Sequence, residues 1–360
     1  MSALKELNIK SKKKDYSVRF VEDFSEVPGK DSIRESFFII DQNVYNLYRE
    51  KFRGIVQQDN HLIVEATEVH KSYDYIKVVI RALLDKNIKR NMTLVAVGGG
   101  IIQDITGFIA SILFRGIEWA FYPTTLLAQS DSCIGSKTSV NVDDFKNQLG
   151  TFYPPQFVIL DVNFLKTLGL ADMKSGLGEI IKVHFLDGAE SLEYINSHYD
   201  KSFSDAAVMK ELIHRSLMIK KRVIEKDEFD KDYRNIMNYG HTFGHAIESI
   251  SNYEVCHGQA VTMGMDIANY ISLGMSLLSD TDAGKMREII IKNSPDYSLK
   301  REQLDLFLAV LTRDKKNVDE NLTAILTKGP GKMLKIKIPF NHLKDFLNGY
   351  TQEPSRLVTK

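Results

Sequence analysis

The chain has 360 residues, 43% of them hydrophobic, a size that favours two buried cores over one. Lysine plus arginine and aspartate plus glutamate number 47 each, so no net field draws nucleic acid or an anionic membrane, and any anionic ligand must be held by locally placed cations. Only two cysteines occur, Cys133 and Cys256, which argues against a disulfide-stapled secreted scaffold and fits a reducing cytoplasm.

The basic run Lys10 to Lys14 is followed by polar residues and the strand-like Val18-Arg19-Phe20-Val21. No apolar leader core or cleavage site is visible, and no apolar stretch approaches the ~18 residues of a membrane span. The expectation is a soluble, cytoplasmic protein. Phe37 to Ile40 is a short apolar run ending at Asp41. Ile76, Val79, Ile80, Leu83 and Leu84 recur at three- and four-residue spacing and predict a helix over 71–87. Thr93 to Val97 reads as a buried strand running into Gly98-Gly99-Gly100, and Ile101, Ile105, Phe108, Ile109 and Ile112 mark one face of the helix that follows. Ile117 to Tyr122 predicts another strand, closed by Pro123-Thr124-Thr125. The stretch containing Lys137, Lys146 and Asn147 is rich in Gly, Ser and Asp and reads as a loop.

Beyond about residue 168 the character changes. Residues 173–186, 205–226, 238–251 and 258–279 read as helices, and the next strand candidate is Leu322 to Leu326. The expected architecture is an α/β domain over 1–168, mainly a parallel sheet wound with helices, and a mainly helical domain over 169–360.

Three features carry chemistry. Glycines at the strand-to-helix junction 98–100 let backbone N–H groups approach phosphate oxygens at a helix N-terminus, although a ligand-free tight turn would read the same and the spacing is not that of the usual dinucleotide fingerprint. His241 and His245 stand four apart on one helix face, and His257 follows sixteen residues after His241. With a distant carboxylate such as Glu179, two imidazoles make a divalent-metal site with an open position, against a bland alternative of chance spacing. Cys256 precedes His257 but has no second cysteine at ligand spacing, so an idle thiol is its simplest reading. Lys220 falls within the apolar stripe Met209, Leu212, Ile213, Leu217, Ile224, where it needs an anionic partner or ligand unless it snorkels to the helix edge.

Together these pieces resemble the 3-dehydroquinate synthase family of sugar-phosphate cyclases. The resemblance runs through Gly98 to Asp104, Phe114-Arg115-Gly116, Pro123 to Gln129, Asp131-Ser132, Lys137-Thr138, Lys146-Asn147 and Tyr153-Pro154-Pro155. It continues through Glu179 to Lys182, Asp227-Glu228, Arg234, Asn238 to Glu248 and His257-Gly258, in order over residues 37–326.

The resemblance implies Glu179, His241 and His257 as ligands of a divalent metal, zinc or cobalt. It implies an NAD site lined by Asp41, Glu68, Lys71, Gly98, Gly99, Gly100, Asp104, Thr124, Thr125, Lys146 and Thr167. Around the substrate it places Asp131, Lys137, Lys182, Lys220, Arg234, Asn238 and His245, with Asn147 and one of Lys315 and Lys316. It further implies an active site in the cleft between the domains and a homodimer, with Arg115 reaching across to the substrate phosphate. The expected partner is a small phosphorylated sugar acid, with no nucleic acid or membrane.

The implied reaction uses a seven-carbon keto-acid phosphate. NAD transiently oxidises a hydroxyl, the metal polarises its oxygen, phosphate leaves by elimination, hydride returns, and an intramolecular aldol addition closes the carbocycle. Three departures bear on substrate: Gln103 where the family usually has Gly, Ser136 and Ser139 beside Lys137, and Asp143-Asp144-Phe145 in place of a Gly-containing turn. Cyclases that make inosose or valiolone rings lack the substrate carboxylate and tend to lose some of its binding residues. Lys220, Arg234 and Asn238 all remain here, which tilts the expectation towards the carboxylated substrate. The rival enzyme class is a metal-dependent polyol dehydrogenase, which would accumulate NADH. A non-enzymatic relic is opposed by the intact ligand set.

Overall fold

A computed structural model describes residues 6–26, 35–57, 59–143, 145–312 and 321–352. The chain divides into two compact units: 1–169 with 220–229, and 170–219 with 230–360. Residues 220–229, expected in the second domain, therefore belong to the first unit.

The first unit is built on a seven-stranded sheet. Its strands are β1 (Glu6–Ile9), β2 (Tyr16–Val21), β3 (Ser36–Asp41), β4 (His61–Val64), β5 (Thr93–Gly98), β6 (Trp119–Pro123) and β9 (Phe157–Asp161), in the order β1-β2-β9-β6-β5-β3-β4. β1 pairs antiparallel with β2 at one edge, and all other pairings are parallel. Continuous apolar runs at Phe37 to Ile40, Leu94 to Val97 and Val158 to Leu160 are buried along their whole length, as expected of parallel strands covered on both faces. Helices α1 (Gln42–Leu47), α2 (Arg49–Phe52), α3 (Tyr73–Asp85) and α4 (Gly100–Ile112) connect the strands. Phe24, Phe52 and Phe164 pack with Ile40, Val97 and Tyr122 in one core cluster.

The segment read as a loop is instead an antiparallel hairpin, β7 (Lys137–Val142) and β8 (Phe145–Phe152). Thr138, Val140 and Asn141 are buried while Ser139 and Val142 are half-buried, so the alternation of a strand is broken at Asn141, and the surrounding Ser, Asn and Asp residues obscure it further.

The second unit contains α5 (Leu170–Asp187), α6 (Ala189–Ser202), most of α7 (Ala206–Lys226), α8 (His241–Ile250), α9 (His257–Gly274), α10 (Asp280–Asn293), α11 (Leu304–Thr312) and α12 (Phe340–Gln352), with a hairpin of β10 (Asn321–Thr327) and β11 (Met333–Pro339). α9 is the central rod, buried almost throughout and packed against α5, α8, α10, α12 and β10. Two expected helices change their bounds. The helix read from 238 begins at His241, because 233–238 is a 3-10 turn and Gly240 is left-handed at φ 79°. The helix read to 279 stops at Gly274, where Ser276 turns left-handed at φ 55° and the Leu277 N–H folds back to the Ser272 carbonyl. No helix among the described residues is long and apolar enough to cross a membrane.

Candidate active site

The metal set is assembled by close backbone approaches in the second unit. A Cβ on Gly178 would lie 2.0 Å from the Gly258 carbonyl oxygen, and one on Gly258 would lie 1.7 Å from that of Ser175, so α5 and α9 touch where only glycine fits. Glu179 and His257 are the residues next to those glycines. Gly264 against Gly240 performs the same service for α9 and α8, which carries His241.

The result is a buried carboxylate facing two imidazoles. Glu179 is 1% exposed, and its Oε1 lies 3.5 Å from His241 Nε2 and 3.3 Å from His257 Nε2. That oxygen has no hydrogen-bond partner, while Oε2 accepts from the buried Lys182 ammonium. A shielded carboxylate oxygen converging with two imidazole nitrogens is the donor set of a divalent metal with an open position, and the three residues fit one. An overlapping set, His245, Glu248 and His257, also clusters, but His245 is exposed and Glu248 faces the opposite nitrogen of His257, Nδ1, at 3.3 Å. Glu248 thus stands behind the His257 ring, on the side away from Glu179.

Electrostatics agree. Burial works to raise the Glu179 carboxyl, but the Lys182 charge and both histidines outweigh it and hold the group well below the usual carboxylate range. Burial, helped by Lys182, pushes His241 well down, leaving a neutral ring. Burial opposes protonation of His257 too, yet the flanking carboxylates of Glu179 and Glu248 overcome it and lift the ring to about 10.

Arg234, Asn238 and His245 lie in the same unit: Arg234 buried on the 3-10 turn, Asn238 half-buried at its end, and His245 exposed with its ring 5.3 Å from that of His241 and 5.8 Å from that of His257. Lys315 and Lys316 lie outside the described residues.

In the first unit, Asp41, Gly98 and Thr124 stand at the carboxyl ends of the adjacent strands β3, β5 and β6, the edge where parallel sheets take their ligands. A Cβ on Gly98 would meet Ile102 at 2.6 Å and one on Gly99 would meet Thr125 at 3.0 Å, whereas Gly100 has nothing nearer than Ser132 Oγ at 4.0 Å. The α4 N-terminus has no side-chain cap and no acid in its first turn, leaving its N–H groups and positive end for an anion such as a dinucleotide phosphate. Asp41 accepts from the Asn43 N–H, and burial raises its carboxyl. Thr167 lies apart, hydrogen-bonded to Tyr48 at 3.0 Å.

Glu68, Lys71, Asp104 and Asn147 come together in one network. Lys71 Nζ donates to Asn147 Oδ1 at 2.8 Å and to Asp104 Oδ2 at 3.3 Å, and lies 3.6 Å from Glu68. Sequence reasoning missed two members. Ser139 Oγ bridges Asp104 and Asn147, each at 2.9 Å, and Asn141 holds Glu68 Oε1 at 2.9 Å and the Asn147 N–H at 2.8 Å. Burial raises the Asp104 carboxyl, partly offset by Lys71. The signal that would have found Asn141 is a polar residue between valines in Val140-Asn141-Val142. For Glu248 it is the spacing 241, 245, 248 along one helix face.

Lys220 does not snorkel. It is 5% exposed, pairs with Asp131 Oδ1 at 3.0 Å and donates to the Asp131 carbonyl at 2.6 Å. Asp131 lies on a π-turn, Ala128–Ser132, which Gln103 clamps: its amide donates to the Ser132 carbonyl at 2.6 Å and accepts from the Ser132 hydroxyl at 2.5 Å. Lys137 and Lys146 are exposed on the β7–β8 hairpin. Arg115 is exposed on a turn where Phe114, Arg115 and Gly116 all have positive φ, 51°, 66° and 113°.

Comparison with known proteins covers both units. Residues 61–175 match the 3-dehydroquinate synthase N-terminal family model and 176–317 the C-terminal one. The 3-dehydroquinate synthase of Alkaliphilus metalliredigens is 35% identical over 328 residues, 90% of this chain and 91% of that one. That of Campylobacter concisus is 36% identical over 324 residues, 89% and 91% of the two chains. Among solved structures, 2-deoxy-scyllo-inosose synthase complexed with carbaglucose-6-phosphate, NAD+ and Co2+ superposes with a TM-score of 0.83 at 25% identity, covering 96% of this chain and 99% of that one. On sequence and fold alike, the chain belongs to the 3-dehydroquinate synthase family.

Proposed function

We propose that this protein converts a seven-carbon keto-acid phosphate to 3-dehydroquinate with elimination of phosphate. The observation that carries the proposal is the buried Glu179 oxygen converging on His241 and His257 in a chain matched along most of its length by 3-dehydroquinate synthases. Glu179, His241 and His257 would hold a divalent metal that polarises a substrate oxygen and acidifies the adjacent C–H, and the Gly98 to Gly100 turn with Asp41, Thr124 and Thr125 would hold NAD as a reversible hydride acceptor.

The chain's own residues bind and orient. Arg234 presents a planar, permanently charged fork suited to the substrate carboxylate, with Asn238 beside it in the chain. Lys71, held by Asp104 and Asn147, fixes the Asn147 amide towards a phosphate or hydroxyl. Asp131 and Lys220, locked together, hold a proton-accepting and a proton-donating group in fixed relation. His245, exposed and outside the ligand set, is placed to hold or release a proton at its ring nitrogen. Lys137, Lys146, Lys182 and one of Lys315 and Lys316 complete the set of cations, and Thr167 belongs to the NAD site in this reading. A cytoplasmic homodimer, with Arg115 serving the neighbouring subunit's phosphate site, is part of the same proposal, supported by the strained turn that exposes Arg115 and by two cysteines that are both free.

A second reading, a cyclase acting on a carboxylate-free sugar phosphate, is favoured by the likeness to 2-deoxy-scyllo-inosose synthase. The retention of Lys220, Arg234 and Asn238 together favours the first. Incubating the metal- and NAD-loaded protein with a panel of seven-carbon sugar phosphates, measuring phosphate release and identifying the ring product by NMR, decides between them. Absence of phosphate release from every member would defeat both.

A further inference from the structure

The second unit contains a cavity of about 250 Å³, and of its lining the mechanism above uses Asn238 alone. Three pieces of chain line it: Asn235 and Asn238 from the 3-10 turn, Thr242 from the first turn of α8, and Thr323, Ile325, Lys335 and Lys337 from the β10–β11 hairpin. The register explains the last four. Thr323 lies opposite Lys337 and Ile325 opposite Lys335, and residues two apart on a strand share a face, so both lysines and both partners turn to the same side.

The chemistry of the lining is one-sided. Among the described residues it offers two ammonium groups, two side-chain amides and two hydroxyls, with no carboxylate. Among the described residues neither Lys335 nor Lys337 takes part in an ion pair or side-chain hydrogen bond. Lysines on an exposed edge strand often serve only to prevent edge-to-edge pairing. That role needs no cavity, and it does not explain why the charges border amide and hydroxyl groups. Two unpaired like charges beside neutral donors are relieved by an anion that accepts from both.

We propose that this cavity binds a small oxyanion, a phosphate or a carboxylate, with Lys335 and Lys337 as its counter-charges and Asn238 and Thr242 as neutral donors. The oxyanion has two chemical sources: a free ion, or a charged arm of the reaction's substrate. The second source rests on the proposed function, through Asn238; the first does not.

The test is local. The intact protein is acylated with acetic anhydride, with and without saturating inorganic phosphate, and modification is read residue by residue by mass spectrometry. Phosphate should slow acylation at Lys335 and Lys337 by about threefold or more, because a bound anion shields the amine and favours its protonated form, while the exposed Lys77 in the first unit keeps its rate. Alongside, a K335A/K337A variant, altered only at exposed positions, is assayed with the seven-carbon substrate. A rise in KM of about tenfold with kcat retained assigns the site to the substrate's arm. Protection by phosphate with KM unchanged assigns it to a free oxyanion. No protection together with an unchanged KM overturns the site. If wild type fails to release phosphate from the substrate while Lys335 and Lys337 are protected, the proposed function fails and the anion site stands.

Discussion

The carboxylate of Glu248 lies 3.3 Å from Nδ1 of His257, and the opposite nitrogen of the same ring lies 3.3 Å from Glu179. The imidazole is thus held at both ends. A metal entering on the Nε2 side meets a ring already oriented, with its Nδ1–H donating to Glu248. Glu248→Ala should weaken metal affinity about 10- to 100-fold, with Glu248→Gln between it and wild type. Competition against a chelator of known affinity measures this. An affinity equal to wild type in the alanine variant would show that Glu248 does not orient the ring.

The ligand set itself predicts a sharper division. Chelation should abolish turnover, and zinc or cobalt should restore it. His241→Ala should lose stoichiometric metal, whereas His245→Ala should keep it and lose activity, because His245 is exposed and sits outside the Glu179 cluster. Because Glu179 and Glu248 hold His257 protonated up to about 10 in the metal-free protein, metal binding has to displace that proton. Affinity should therefore fall by about tenfold per pH unit as pH drops. Full activity in a preparation verified to be metal-free would refute the assignment.

NAD should be needed only in amounts stoichiometric with enzyme. One phosphate should appear per substrate consumed, with no continuous rise in NADH absorbance, since NAD in the proposed reaction would serve as a reversible hydride acceptor with no net turnover. Stoichiometric accumulation of NADH would instead support the dehydrogenase class.

His184 sets part of the acid sensitivity of the second unit. It is fully buried on α5, its Nδ1 donates to the Ile180 carbonyl at 2.8 Å, and its Nε2 has no partner, so burial holds the ring neutral with its pKa pushed down to about 4. The unfolded chain takes up this proton near pH 6.5. Stability from the neutral ring is complete above that pH and is lost as pH falls from about 6.5 towards about 4, a total of about 3 kcal/mol. In His184→Leu, the slope of unfolding free energy against pH over this window should be shallower by about one proton. Parallel slopes in urea titrations at several pH values would exclude the group as the cause.

Much of the fold is legible in the residues alone, whereas the His241 and His257 spacing leaves chance open and the set with Glu179 comes from the family resemblance. The glycine junction, the helical periodicities and the apolar strand runs point to the two architectures, because burial on both faces leaves a continuous apolar signal. The hairpin of Lys137 to Phe152 is not legible in this way. Its buried face is built from Thr138 and Val140 between polar residues that also suit loops. Nor is the place of 220–229, since helix periodicity in Ala206–Lys226 is the same on both sides of a unit boundary. Lys220 announces itself as a cation in an apolar stripe, but its partner Asp131 is 89 residues away and only the fold supplies it. Lys335 and Lys337 carry no signal of their own in the sequence, and the hairpin register is what sets them on one wall of a cavity.

Substrate class turns on Arg234. Its guanidinium is buried on the 3-10 turn that leads into the helix carrying His241, where its planar fork suits an anion such as a carboxylate. If that anion is the substrate carboxylate, Arg234→Ala strips a buried ion of its partner, a loss of about 2–5 kcal/mol, or on the order of 30- to several-thousand-fold in kcat/KM. An analogue lacking the carboxylate should already be poor with wild type and should lose far less on substitution. Comparing the two substrates with the two proteins isolates the coupling between guanidinium and carboxylate, because any general damage to the fold cancels. A wild-type preference for the carboxylate-free sugar phosphate would reject dehydroquinate formation while leaving the cyclase chemistry in place. Equal losses on both substrates would make Arg234 a structural ion whose compensating charge belongs to the protein itself.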